Sequence, residues 1–153
     1  MDIGSNGSYP SCALSNFAAH EFTIDGVRCA SMEGFLQSLK CKYPEMQKEI
    51  CKLIGIKAKR EGSKRNNWKE KQLLYWQGKE YPRKSTEYQL LLDRAYLELF
   101  KNQKFRAALR AAKDAVFYHS CGKTSEGQTV LTVREFTSRL DFLREKLKKE
   151  ENL

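Results

Sequence analysis

The chain has 153 residues, 41% apolar and 31% charged, a length and balance that fit one folded domain able to bury roughly 70% of its unfolded surface without a metal or disulfide staple. Its formal charge of +9, from 28 basic and 19 acidic residues, favours phosphate-bearing or nucleic-acid ligands, though a plain solvated surface gives the same excess. No apolar run approaches the ~20 residues of a membrane span, and the polar, Gly/Ser-rich stretch Met1 to Pro10 lacks the basic start and apolar core of a signal peptide, so cytoplasmic residence is expected.

In chain order, Phe22 and Ile24, then Asp25-Gly26, then Val27 and Cys29 read as a tight hairpin, because Asp-Gly between alternating apolar residues is a strong two-residue turn signal. Ser31 caps an expected helix to about Cys41. Pro44 opens a second, with Met46, Ile50, Leu53 and Ile54 on its apolar stripe and Gly55 at its end. Ala58 to Gly62 reads as a short helical turn, and Asn66 or Asn67 as the cap of a helix through Trp76 closed by Gly78. Thr86 with Gln89 forms an expected capping box for a helix to about Asn102, and Phe105 to Ala112 continues helical. Ala115 to His119 reads as a short strand. Thr132 with Glu135 forms another capping box, followed by Phe136, Leu140, Leu143 and Leu147 at helical spacing, and residues 148–153 as a frayed tail. The expected fold class is a mostly helical α+β single domain, 1–153, with a small hairpin. There is no βαβ alternation, no GxGxxG and no P-loop sequence.

The five cysteines show no CxxC spacing and are odd in number; only His20 and His119 could join them. That argues against a disulfide framework and a zinc site, and no metal or cofactor is expected. His119 near Cys121 hints at a thiol nucleophile, but no second histidine or acid is placed to complete it. His119 reads better as a pocket-lining residue.

Chemistry concentrates in Ser31 to Lys40. On a helix, Glu33, Gln37 and Lys40 fall at i, i+4 and i+7 on one face, the ends about 10 Å apart along the axis. Glu33 in the first turn feels the positive helix end, which favours its ionised form by roughly 0.3–1 kcal/mol. That suits a base or a stabiliser of an oxocarbenium ion, and a nearby lysine can act by charge or as a nucleophile. On spacing alone, such a stripe is ordinarily a solvated face. From Lys57 to Lys71 runs a basic segment able to grip pyrophosphate or a nucleic-acid backbone, with Arg60 and Arg65 foremost because guanidinium pairs bidentately with phosphate.

Leu14-Ser-Asn16-Phe17, Asp25-Gly26, and Ser31-Met-Glu33 followed by Gln37 and Lys40 resemble, in order and spacing, the signature of the YbiA-like family of the NADAR (NAD and ADP-ribose) superfamily, approximately FSNF, DG, then SxEHYFQxxK. The likeness is close over Tyr9 to Lys40 and loose beyond. It implies an YbiA-like fold and a cofactor-free N-glycosidase, an ADP-ribosyl hydrolase acting on ADP-ribosylated guanine, free or in nucleic acid, or on a riboflavin-pathway intermediate. It implies Glu33 and Lys40 as catalytic, with Asn16, Phe17 and Trp68 against the ligand. Gly34-Phe35 stands where the pattern has His-Tyr, and an acidic residue and Trp-Gly near the C-terminal end are not evident. The alternative is a non-catalytic module binding ADP-ribose or nucleic acid, and a helical protein-interaction domain has less support.

Overall fold

The computed structural model describes residues 1–152. Eight helices and two antiparallel hairpins surround one apolar core: α1 (Ser11–Leu14), β1 (Phe22–Ile24), β2 (Val27–Cys29), α2 (Met32–Ser38), α3 (Pro44–Cys51), α4 (Gly55–Ser63), α5 (Trp68–Lys71), β3 (Leu73–Trp76), β4 (Lys79–Pro82), α6 (Thr86–Leu99), α7 (Gln103–Ala112) and α8 (Val133–Glu151). This is the α+β class that the sequence led us to expect. No helix of the described residues is long and apolar enough to cross a membrane.

The first hairpin forms as its turn residues dictate. Asp25 and Gly26 both take positive φ, 49° and 77°, and pair Phe22 with Cys29 across the strands. Phe22, Ile24, Val27 and Cys29 point inward while Thr23 and Arg28 point out. The Asp25 carboxylate then accepts hydrogen bonds from Trp76 Nε1 and from Arg94, both at 2.8 Å, tying the turn to the second hairpin and to α6.

That second hairpin replaces most of the helix expected from Asn66 to Trp76. The helix stops after Lys71 because Gln72 turns left-handed, and Gln77-Gly78 (φ 53° and 81°) form a second two-residue turn. Leu74 and Trp76 bury on one face of β3, a period of two inside a run that also satisfies a helical period. Gln47 of α3 faces inward and clamps the strand, its Nε2 donating to Tyr75 O (2.7 Å) and Ser38 O (3.1 Å). Tyr75 N–H donates to Leu39 O, so β3 holds the end of α2. Inward Gln47 is also why Met46, expected on the apolar stripe, is exposed.

Other boundaries differ locally. Gly55, with φ 55°, opens α4 rather than closing α3. Ser85, not Thr86, caps α6, and Gln89 donates instead to Glu135. The segment expected as a strand near 115–119 forms one parallel bridge, Tyr118 to Asp2. The Thr132–Glu135 capping box forms as expected, and Phe136, Leu140, Leu143 and Leu147 bury along α8. Over the stretch expected as a tail from residue 148, α8 continues through Glu151, with ion pairs from Lys148 to Asp114, Arg106 to Glu150 and Arg110 to Glu151. Leu153 lies outside the described residues.

A buried cluster joins α6 to α8. The Arg83 guanidinium, fully buried, donates to both Glu135 oxygens (2.6 and 3.0 Å) and through Nε to Thr129 O (2.9 Å), while Tyr88 OH donates to Val130 O (2.6 Å). Burial alone would raise the Glu135 carboxyl. Arg83, the Thr132 N–H and Gln89 outweigh it and hold the group below the usual carboxylate range.

Candidate active site

Helix α2 presents the site and is fixed at both ends. Ser31 Oγ accepts from Gly34 N–H (3.0 Å) and donates to Leu53 O (2.9 Å). Met32, Phe35 and Leu36 bury, with Phe35 edge-on to Trp76 at 5.0 Å between centroids. The opposite side of the helix walls a cleft of about 410 Å³.

Six of the residues singled out from the sequence line that cleft: Asn16, Phe17, Glu33, Gln37, Lys40 and His119. Glu33 N–H donates to Asn16 O at 3.0 Å, which seats the 15–17 segment on the first turn of α2. Tyr96 OH, buried beneath, donates to Asn16 Oδ1 at 2.8 Å, leaving the amide N–H groups of Asn16 for the cleft. His119 Nδ1 is 2.6 Å from Ile3 O; a carbonyl only accepts, so Nδ1 carries the proton and Nε2 is free for the cleft. Its ring stands edge-on to Phe136. Cys121 Sγ is 3.7 Å from both ring nitrogens, which places it against the ring rather than on one lone pair.

Others fall elsewhere. Trp68 is 4% exposed in the core, where it packs and cannot stack on a ligand in the cleft. Arg60 lies exposed on α4, away from the cleft; its neighbour Lys59 lines it instead. Arg65, just past the end of α4, is engaged by Glu61 of that helix. Lys69 and Lys123 also line the cleft, from α5 and from the loop before α8. Lys59 and Lys69 belong to the basic segment Lys57 to Lys71, but no single helix face or motif joins them to Lys123, whose only signal in the sequence was the overall basic excess.

The electrostatics correct one expectation. Helix α2 has seven residues, and its dipole does not decide the charge of Glu33. Burial pushes the Glu33 carboxyl above its usual value, opposed by Gln37, Lys59, Lys40 and His119. Desolvating a carboxylate outweighs the ~0.3–1 kcal/mol of a short helix end. Lys40, two residues past the end of α2, is pushed down to about 8, first by burial and then by Lys69, Lys123 and Lys59, with Glu33 opposing. A carboxyl titrating above its normal range thus shares a wall with an ammonium titrating near neutrality, the pairing that general acid–base chemistry needs.

Gly34 is a packing requirement. A Cβ there would stand 2.6 Å from Leu53 O and 3.1 Å from Ile50 O. Gly34→Ala is therefore expected to lower thermal stability by about 1–3 kcal/mol, read by calorimetry; an unchanged Tm would contradict this close approach.

A family profile described as Bacteriophage protein GP30.3 matches residues 8–145. A 17.1 kDa protein from the Gp30–rIII intergenic region of enterobacteria phage T4 is 38% identical over 149 residues, 96% of this chain and 98% of that protein. The NMR structure of the E. coli protein YbiA superposes with a TM-score of 0.62 at 20% identity, over 99% of this chain and 86% of that one, so the two share a fold.

Proposed function

The chain belongs to the bacteriophage GP30.3 protein family and has the fold of YbiA, and from that premise we propose that it is an N-glycosidase cleaving the ribose–base bond of an ADP-ribose-like or nucleotide-like substrate. The observation that carries this reading is the half-buried Glu33 carboxyl in the cleft wall, with Lys40 and His119 on the same cleft.

In this reading the C1′–N bond breaks and its electron pair leaves with the base. Positive charge develops on the ribose ring, and the Glu33 carboxylate stabilises it and takes a proton from the water that attacks C1′. The Lys40 ammonium donates the proton that the departing base nitrogen needs, and Asn16 and His119 contact the ribose. Lys59, Lys69 and Lys123, none of them in an ion pair among the described residues, suit phosphate oxygens. Free base released from ADP-ribosylated guanine nucleotides and from phosphorylated riboflavin precursors is measured by chromatography. No release above a Glu33→Gln control in either set overturns the proposal.

The pH profile follows from the two shifts. Activity rises as Glu33 loses its proton, above the ordinary carboxylate range, and falls through about 8 as Lys40 loses its own. Lys40→Arg keeps the charge but gives up no proton in this range, and is expected to lower kcat and remove the falling limb, as kcat/KM against pH would show. A falling limb that persists removes Lys40 from the proton transfer.

A non-catalytic reading, binding ADP-ribose or nucleic acid, is favoured by the exposed Lys57, Arg60 and Lys71, basic side chains outside the cleft wall. Tight, steeply salt-dependent binding without base release would select it.

A further inference from the structure

Gln37 is a cleft residue whose posture is set by a missing side chain. It is 7% exposed, and its Nε2 faces Glu33 Oε2 at 3.5 Å. Its Oε1 is buried with no hydrogen-bond partner. On the far side lies Gly62, near the end of α4: a Cβ built there would stand 1.6 Å from Gln37 Oε1 and 2.4 Å from Cδ. The amide therefore occupies the space that any other residue at 62 would fill. Flipping the amide would set a carbonyl oxygen against a carboxyl oxygen, so the donor end stays on Glu33.

A glycine inside a helix is unfavourable relative to alanine, and a buried carbonyl without a donor is unfavourable as well. Both are retained at one contact, and among the described residues the Gln37 amide donates to Glu33 alone. We propose that Gly62 is a positioning residue for Glu33: it leaves the slot that seats the Gln37 amide, and the amide holds the carboxyl in its orientation towards the cleft. Gln37 is then a positioning residue too, rather than a direct contact to substrate. The remaining charged and titratable groups facing Glu33 are Lys40 beyond the end of α2, Lys59 on α4, His119 before α8 and Tyr96 on α6.

The activity side of this inference rests on the glycosidase reading; the positioning side does not. Gly62→Ala, Gln37→Met and the double variant are compared with wild type by thermal unfolding, by carbon NMR titration of the Glu33 carboxyl, and by base release. The new methyl in Gly62→Ala meets the flexible Gln37 side chain from Oε1 back to Cγ, which can swing towards the cleft, and alanine favours the helix, so Tm is expected to hold or rise. The Glu33 titration midpoint is expected to move up in both single variants, because the donor that favours the ionised form is withdrawn. Base release is expected to fall ~10–100-fold in kcat with little change in KM. Since Gly62 acts only through Gln37, the double variant is expected to match Gln37→Met alone.

An unmoved midpoint in Gly62→Ala, or additive effects in the double variant, overturns the proposal. Should Gly62→Ala fail to fold, Gln37→Met decides alone, and an unmoved midpoint there is equally fatal. If wild type releases no base, the glycosidase reading fails while the titrations still decide the positioning role.

Discussion

Replacing Arg83 by methionine is expected to destabilise the fold by about 3–5 kcal/mol, a shift easily resolved in the midpoint of urea unfolding. The reason is the partner left behind. Glu135 is largely buried and keeps its charge through two hydrogen bonds from the fully buried Arg83 guanidinium. Without them, a carboxylate stripped of water faces only Gln89 and the Thr132 N–H. Adding Glu135→Leu is expected to restore part of the loss, since no unpaired charge remains; the capping box of α8 goes with it, at about 1 kcal/mol. The sign with pH is fixed by the lowered Glu135 value. Its contribution is present above the ordinary carboxylate pKa and is lost as pH falls through the lowered one, so wild type and variant should converge in acid. A loss below about 1 kcal/mol at neutral pH would mean that the pair is weakly coupled to the fold. Activity should fall as well, because Thr129 and Val130, held by Arg83 and Tyr88, are part of the cleft wall.

Glu33→Gln is expected to lower kcat for base release by about 10²–10⁴ while leaving the protein at least as stable as wild type at neutral pH. The second half follows from the raised Glu33 value. A group that binds its proton more tightly when folded contributes stability below its ordinary pKa, and that contribution is lost as pH rises through the raised one. Above its raised pKa, the wild type therefore carries a carboxylate largely stripped of water, at a cost that the neutral amide does not share. Loss of turnover with unchanged or raised Tm marks a group retained for chemistry. A variant that lost stability and activity together would point to a structural acid.

What could be read from the sequence was local. Asp25-Gly26 between alternating apolar residues and the Thr132–Glu135 box each specify their structure within a few neighbours, and both formed as expected. Leu73 to Trp76 misled because four apolar residues fit either period; what decides is Gln47, 28 residues from Tyr75 in the chain. The site divides in the same way. Glu33, Gln37 and Lys40 share a segment and a motif. Lys69 and Lys123 reach the cleft only through packing between distant elements, and Trp68, beside a plausible helix cap, gave no sign that the core would take it.

The close approach at Gly34 bears on how this sequence could have diverged. In the resembling pattern a histidine follows the glutamate, and here the carbonyls of Ile50, Cys51 and Leu53 fill the space an imidazole would need. A side chain at position 34 requires a retreat of the α3–α4 junction. A path of single substitutions that enlarges residue 34 first passes through a clash, so that junction is expected to retreat first and to covary with residue 34 among relatives.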